Sequence, residues 1–320
     1  MDRHVYALDF DGVLCDSCGE SSLSAVKVRR GDPEGGSADR RLAAKLRWPS
    51  LFADVSADVE GTILKQMREV RPVVETGYEN ILLVRLLLEM ACEDKRQSQV
   101  KGTEETSTHS FLALAWLSSL PSLSSLPLLP SLSSLPSLPL LPSLPSLPSH
   151  QLSKSGKLNL QAILSGWEGE IKPAVMAEWG EEGRREELVE LFGAVRDEWM
   201  RHDLPGWIAA NAMYAGVPEA LQKAESPLYI VTTKQTRFAL ALLRELAGVD
   251  FPEDKVFGLG TGFVEDRLAT LRNVISTPQL DGWHLYLGTW GYNTEQERQD
   301  AAQIPRIQIV DLPDFCGSLE

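Results

Sequence analysis

The stretch His4-Val5-Tyr6-Ala7-Leu8-Asp9-Phe10-Asp11-Gly12-Val13-Leu14 constrains this chain more than any other. A mostly apolar run of five residues reads as a buried strand, and two aspartates two apart then meet a glycine that lets the chain turn. Strand side chains alternate, so Asp9 and Asp11 project to the same side where the strand ends. Leaving two like charges unpaired in a core costs on the order of several kcal/mol each. A bound cation or a reacting group is the economical reason for them, and metal-assisted chemistry is the first expectation.

At 320 residues and 43% apolar, the chain can bury a real core as one large domain or two ordinary ones. Its net charge of −14 argues against nucleic acid or an anionic membrane surface as a partner, because phosphate backbones are bound with Lys and Arg. An acidic protein with an anionic substrate has to concentrate positive charge locally, often through a metal. The first strand begins within a few residues of Met1, which leaves no room for a signal peptide and makes a cytoplasmic location the expectation. Cys15, Cys18, Cys92 and Cys316 are too few for a disulfide framework. Cys15-Asp16-Ser17-Cys18 is a lone C-x-x-C with no second pair to complete a metal site, so it reads as two small residues leading out of the strand.

About two hundred residues of helix and loop follow. Around 73–93, Ile81, Leu82, Val84, Leu86, Leu88 and Met90 crowd a buried face. Arg185 to Met200 carries apolar residues at 188, 191, 192, 195 and 199, the spacing of an amphipathic helix whose charged side is expected to be solvated. Trp167, Trp179, Trp199 and Trp207 are expected to pack in a core rather than line a pocket. Ser118 to Ser149 is a near-repeat of Ser, Leu and Pro; prolines this dense forbid a helix and cannot donate to a sheet, so an extended or disordered loop is expected. The apolar run Phe111 to Leu117 is far too short to span a membrane.

Regular alternation of elements resumes at Leu228-Tyr229-Ile230-Val231-Thr232-Thr233-Lys234, a buried strand ending in a hydroxyl, followed by a helix from Thr236 to Ala247 that Gly248 stops. Strand, hydroxyl, helix is a geometry that holds phosphate, because side-chain and backbone donors converge on one oxygen. Next come a candidate strand at Val256 to Leu259 and a second at Phe263-Val264-Glu265-Asp266-Arg267. Glu265 and Asp266 read either as carboxylates at a strand end or as the acidic start of the helix containing Leu268, Leu271 and Ile275. Leu285 to Leu287 is a short strand, Thr294 to Ala302 a helix opened by a capping box with Glu297, and Arg306 to Leu312 the last strand. The loop Trp290 to Thr294 reads as a packed turn, with substrate contact as the alternative.

The pattern Asp9-Phe10-Asp11-Gly12-Val13-Leu14 resembles the first motif of the haloacid dehalogenase superfamily, phosphatases for the most part. Thr232 resembles the second motif and Val264-Glu265-Asp266 the fourth, in the right order. From Tyr229 onward, with Trp283 to Thr294 and Pro305 to Phe315, the chain resembles plant and algal members. The resemblance implies an α/β fold, a Rossmann-like parallel sheet with an inserted α-helical cap. Residues 1–16 would begin the core, 17–222 form the cap, interrupted at about 101–155 by the low-complexity insert, and 223–320 complete the core. It implies that Asp9 attacks phosphorus, that Asp11 is the general acid and base, and that Thr232 binds phosphate. Mg²⁺ would be held by Asp9, the backbone carbonyl of Asp11 and Asp266, with Glu265 assisting, and a small phosphorylated metabolite such as phosphoglycolate or a sugar phosphate would be the substrate.

One departure stands out. Only Gly260, Thr261 and Gly262 separate the two candidate strands, where parallel neighbours need a crossover of about ten or more residues. The family's third-motif lysine belongs in that crossover; Lys234 and Lys255 are the nearby candidates to supply its charge. Two alternatives to a phosphatase stay open: a catalytically impaired relative that binds a ligand or partner, and a dehalogenase or phosphoryl transferase on the same scaffold.

Overall fold

A computed structural model of the chain describes residues 5–30, 57–92, 94, 158–178, 184–258 and 264–319. Contacts divide the chain into one unit of Met1–Leu87 with Asn159–Glu320 and another of Leu88–Leu158. The architecture below is that of the first. The Ser/Leu/Pro tract, Trp179 and the connection 259–263 lie outside the described residues.

Among the described residues eight strands are present: β1 (Tyr6–Leu8), β2 (Cys15–Asp16), β3 (Ala212–Met213), β4 (Leu228–Thr232), β5 (Val256–Gly258), β6 (Val264–Glu265), β7 (Leu285–Gly288) and β8 (Ile307–Val310). Six of them form one sheet in the order β5-β4-β1-β6-β7-β8, and its pairings are all parallel. Counted among themselves in chain order, these strands run 3-2-1-4-5-6, the doubly wound arrangement in which the chain leaves β1 in one direction and returns on its other side. This is an α/β fold. The register sets Leu8 level with Ile230 on one side and Val264 on the other, and Ile230 level with Val256. β2 and β3 form a separate antiparallel pair.

The expectation that the strands at 256 and 264 are neighbours is corrected by this order. β5 is an edge strand, and β4 and β1 lie between it and β6. A buried parallel strand is normally covered on both faces. β4 instead alternates, with Leu228, Ile230 and Thr232 buried and Tyr229 and Val231 partly open, and Phe257 of β5 is 51% exposed.

One cluster, centred on Leu8, Phe10, Ile230, Phe238 and Leu242, packs the sheet against the helix Thr236–Leu242, its π-helical continuation Leu243–Ala247, and the helices Val217–Lys223 and Leu312–Leu319. Gly248, at φ 65°, ends the first of these as expected. A second cluster of Leu268, Leu271, Leu285, Leu287 and Ile307 lies under the helices Leu268–Ile275 and Glu295–Ala302. The predicted capping box of Thr294 and Glu297 opens the latter.

Between β2 and β3 the described chain is helical. Cys18–Arg30 packs on Arg184–Ala209 and on Ala57–Val70, which in turn meets Leu160–Gly166. The helical stretch expected around 73–93 begins at residue 79, because Arg71–Val73 is a 3-10 turn and 74–78 a loop. Arg184–Ala209 outruns its predicted end, with non-helical backbone at Asp203 just before Pro205. Leu188, Leu191, Phe192 and Trp199 are buried along it as predicted. Its charged side is not simply solvated: Arg196 and Glu198 are buried too. Trp167, Trp199 and Trp207 are core residues.

Candidate functional site

Because the six strands run the same way, whatever follows each of them gathers at one edge of the sheet. β1 ends at Leu8, and the N–H of Asp9 donates to the Val264 carbonyl at 3.0 Å, tying the first aspartate to β6. The chain then turns sharply: the N–H groups of Leu14 and Cys15 both donate to the Phe10 carbonyl, at 3.0 and 2.9 Å. Gly12 sits at φ 89°, where an L side chain is strained. A Cβ there would lie 2.1 Å from Asp266 Oδ2, so glycine is required on both counts. This crevice, beside the strand where the order reverses, is where open α/β sheets place ligands.

Asp9, Glu265 and Asp266 each bring a carboxylate oxygen within 4.8 Å of the others. Burial, then the charges of Asp266 and Asp11, push the Asp9 carboxyl well above its ordinary range; a hydrogen bond from the Thr232 hydroxyl and one from the Phe10 N–H pull the other way. Asp266 is pushed up to about 6, chiefly by burial, against the opposing pull of Arg71 and of the Tyr292 N–H that donates to its Oδ2 at 2.7 Å. Crowded, buried carboxyls offering hard oxygen donors are what a divalent ion of the Mg²⁺ type coordinates, and the donor set fits such an ion. The other acidic trio, Glu75, Glu79 and Glu168, is already served by the Lys172 ammonium, which bonds Glu79 and reaches Glu168 at 3.0 Å.

Asp11 is placed differently. Its Oδ1 accepts from the Ser17 hydroxyl at 2.5 Å and lies 3.3 Å from the Lys234 ammonium. Lys234 is fully buried, and its other carboxylate neighbour is Glu20 at 3.6 Å. Glu20 is gripped in turn by Arg196, whose Nε and Nη2 donate at 2.7 and 2.8 Å, and by the Ser24 hydroxyl at 2.7 Å. Burial raises the Glu20 carboxyl, but Arg196 and Lys234 overcome it and hold the group at about 2. A chain of contacts thus runs Arg196, Glu20, Lys234, Asp11, from the helical layer into the sheet's edge.

Of the two lysine candidates, Lys234 is brought to the aspartates and Lys255 is not. Lys255 precedes β5 at the opposite end of that strand, its ammonium 5.8 Å from the Tyr229 ring centre. Thr232 ends β4 beside Asp9, and its Oγ1 accepts from the Lys234 N–H at 3.2 Å.

The loop after β7 clamps the edge as a packed turn. Trp290 Nε1 donates to the Val13 carbonyl at 3.1 Å, and Asn293 Nδ2 donates to the carbonyls of Asp266 and Gly288 at 2.8 Å each. The Tyr292 hydroxyl donates to Asp16 Oδ1 at 2.7 Å and accepts from the N–H groups of Ser17 and Cys18. Above the Tyr292 ring, at 3.9 Å, lies the guanidinium of buried Arg71, with Nε lacking a hydrogen-bond partner. Burial lowers the basicity of Arg71, while Tyr292, Cys18, Asp11 and Asp266 more than restore it. Cys15 and Cys18 are buried free thiols, both held protonated by burial above all, so the C-x-x-C is not a reactive pair.

Sequence reasoning missed Ser17, Glu20, Arg71 and Arg196. Only Arg71, beside Pro72-Val73-Val74, and Glu20, among small residues, carry a signal, a charge in an apolar or small stretch; Ser17 has no charge and Arg196 sits among other charges. No family model, no curated protein and no solved structure matches this chain.

Proposed function

We propose that the chain is a divalent-metal-dependent phosphomonoester hydrolase of haloacid dehalogenase type, with the helices between β2 and β3 serving as its cap. The observation that carries this reading is the meeting of Asp9, Glu265 and Asp266, from sequence positions over 250 apart, at the edge where Thr232 ends β4 and Lys234 follows it. Asp9, Asp266 and Glu265 would hold Mg²⁺, which when bound would offset the repulsion between carboxylate and phosphate dianion.

Asp9 attacks phosphorus in line, forming an aspartyl-phosphate as the ester oxygen leaves. Asp11, held by Ser17, gives its proton to that oxygen and afterwards takes one from the water that hydrolyses the intermediate. Thr232 donates to a phosphoryl oxygen. Lys234 supplies the positive charge that the short connection after β5 leaves no room to provide, and it does so from the position next but one to Thr232. Arg71 adds a second buried cation near Asp11 and Asp266. The substrate is a small phosphorylated metabolite.

The test is direct. With Mg²⁺ present, the native protein should release phosphate from acetyl phosphate or an aryl phosphate, and Asp9→Asn should lower the rate by at least about a thousandfold. Turnover retained in that variant removes Asp9 as nucleophile. Absence of turnover in the native protein, with cation binding intact, favours the impaired relative, which the shortened connection also suggests.

A further inference from the structure

The loop after β7 makes more contacts than a packed turn requires, and they converge on Tyr292. Its backbone N–H donates to Asp266 Oδ2 at 2.7 Å, which fixes its main chain to the acidic centre. Its ring packs on the turn after the first aspartate: a Cβ on Gly12 would lie 2.8 Å from Tyr292 Cδ2. The Arg71 guanidinium lies 3.9 Å from the ring centre. The hydroxyl reaches the chain beyond the turn, donating to Asp16 Oδ1 at 2.7 Å and accepting from the N–H groups of Ser17 at 2.8 Å and Cys18 at 3.1 Å. Burial above all pushes the phenol well above its ordinary range, against the pull of Arg71, so it keeps its O–H for Asp16.

One of these contacts bears on Asp11. Ser17 is fully buried, and both its backbone groups are engaged: the N–H on the Tyr292 oxygen, and the carbonyl accepting from the Ser21 N–H at 2.9 Å as the helix Cys18–Arg30 begins. The Ser17 hydroxyl therefore starts from a fixed point, and it donates to Asp11 Oδ1 at 2.5 Å. The Lys234 ammonium approaches the same oxygen at 3.3 Å. Both contacts fall on one oxygen, and together they orient the carboxyl. Orientation matters for a group that must hand over a proton, because a misplacement of about 1 Å can cost about a hundredfold in rate.

We infer that Tyr292 is a positioning residue for the general acid: its hydroxyl holds Ser17, and Ser17 aims the Asp11 carboxyl at the ester oxygen. In the step concerned, the bond from an Asp9 oxygen to phosphorus forms and the bond from phosphorus to the ester oxygen breaks. The Asp11 proton passes to the departing oxygen, which leaves as an alcohol. Tyr292 itself touches neither the substrate nor the reacting atoms. A weakly basic group such as 4-nitrophenolate departs without that proton, whereas the more basic phenolate needs it. This inference rests on the phosphatase reading.

The experiment uses the full chain with Mg²⁺ and two probes of like shape, phenyl phosphate and 4-nitrophenyl phosphate. In Tyr292→Phe, kcat/KM for phenyl phosphate should fall about tenfold or more, and that for 4-nitrophenyl phosphate by less than about threefold. Ser17→Ala should show the same selective loss. Adding Tyr292→Phe to Ser17→Ala should lower the phenyl phosphate value by less than about twofold more, because the tyrosine acts through the serine. Equal losses on both probes in either variant, no loss in either, or a full additional loss in the double variant overturns the inference while leaving the phosphatase reading in place. Should Tyr292→Phe not fold, the Ser17→Ala comparison decides alone. No turnover of either probe by the native protein overturns both.

Discussion

Glu20 shows how much one buried carboxylate does here. It joins two cations from different parts of the chain, Arg196 of the long helix and Lys234 after β4, and through Lys234 it steadies Asp11. Its folded value of about 2 lies below the ordinary 4.5, so it stabilises the fold fully above pH of about 4.5, and that contribution fades as pH falls toward 2. The shift corresponds to about 3 kcal/mol, on the order of what removing one partner of a buried pair costs. Glu20→Gln should therefore lower unfolding free energy at pH 7 by about 3–5 kcal/mol, with the gap to the native protein narrowing as denaturation is repeated at successively lower pH below about 4.5. A gap that stays constant across that range would show that the pair adds nothing. None of this was legible in the sequence: Glu20 and Arg196 are 176 positions apart, and each alone reads as one more surface charge on a helix. Asp9, Asp11, Thr232 and Asp266 were legible because each follows a short apolar strand, where alternation and chain direction fix its place.

Elements repeat the lesson. β4, β7, β8 and the helix Glu295–Ala302 announced themselves by period, hydroxyl or cap, all local signals. Strand order is not local: five residues between β5 and β6 make them read as neighbours, yet two strands stand between them. The expected last strand, Arg306 to Leu312, ends at Val310 in the structure, and Leu312 instead opens the closing helix Leu312–Leu319, a helix not expected from the sequence. Two glycines test the packing between elements. At Gly291, in the loop after β7, a Cβ would sit 2.2 Å from Asp266 Cβ and 2.6 Å from the Gly12 carbonyl. Gly291→Ala should cost about 1–3 kcal/mol and weaken activity with it. At Gly61, exposed within the helix Ala57–Val70, nothing lies within 4 Å, and Gly61→Ala should stabilise by about 0.5–1 kcal/mol. Chemical denaturation of the two variants side by side reads both signs.

At the scale of the molecule, a divalent ion that binds the folded centre and not the unfolded chain must raise the melting temperature by mass action. Adding Mg²⁺ should do so for the native protein and far less for Asp266→Asn, as thermal unfolding with and without chelator would register. An equal rise in both would place the ion elsewhere. The sheet's outer strands carry a different liability. Phe257 on β5 and Ile309 on β8 are 51% and 41% exposed, and unpaired strand edges invite pairing with another copy. Phe257→Lys should reduce self-association in light scattering while leaving the melting temperature nearly unchanged.

β6 stands in the middle of the sheet, joined to β1 at the level of Leu8 and Val264 and to β7 at Val264 and Glu265. Asp9 follows β1 and Glu265 and Asp266 lie on and just after β6, so the acidic residues meet at the seam where the two sides of the sheet join. An ion gripped by Asp9 on one shore and by Glu265 and Asp266 on the other would act as a suture across it, so that occupancy of the centre and cohesion of the two halves rise and fall as one.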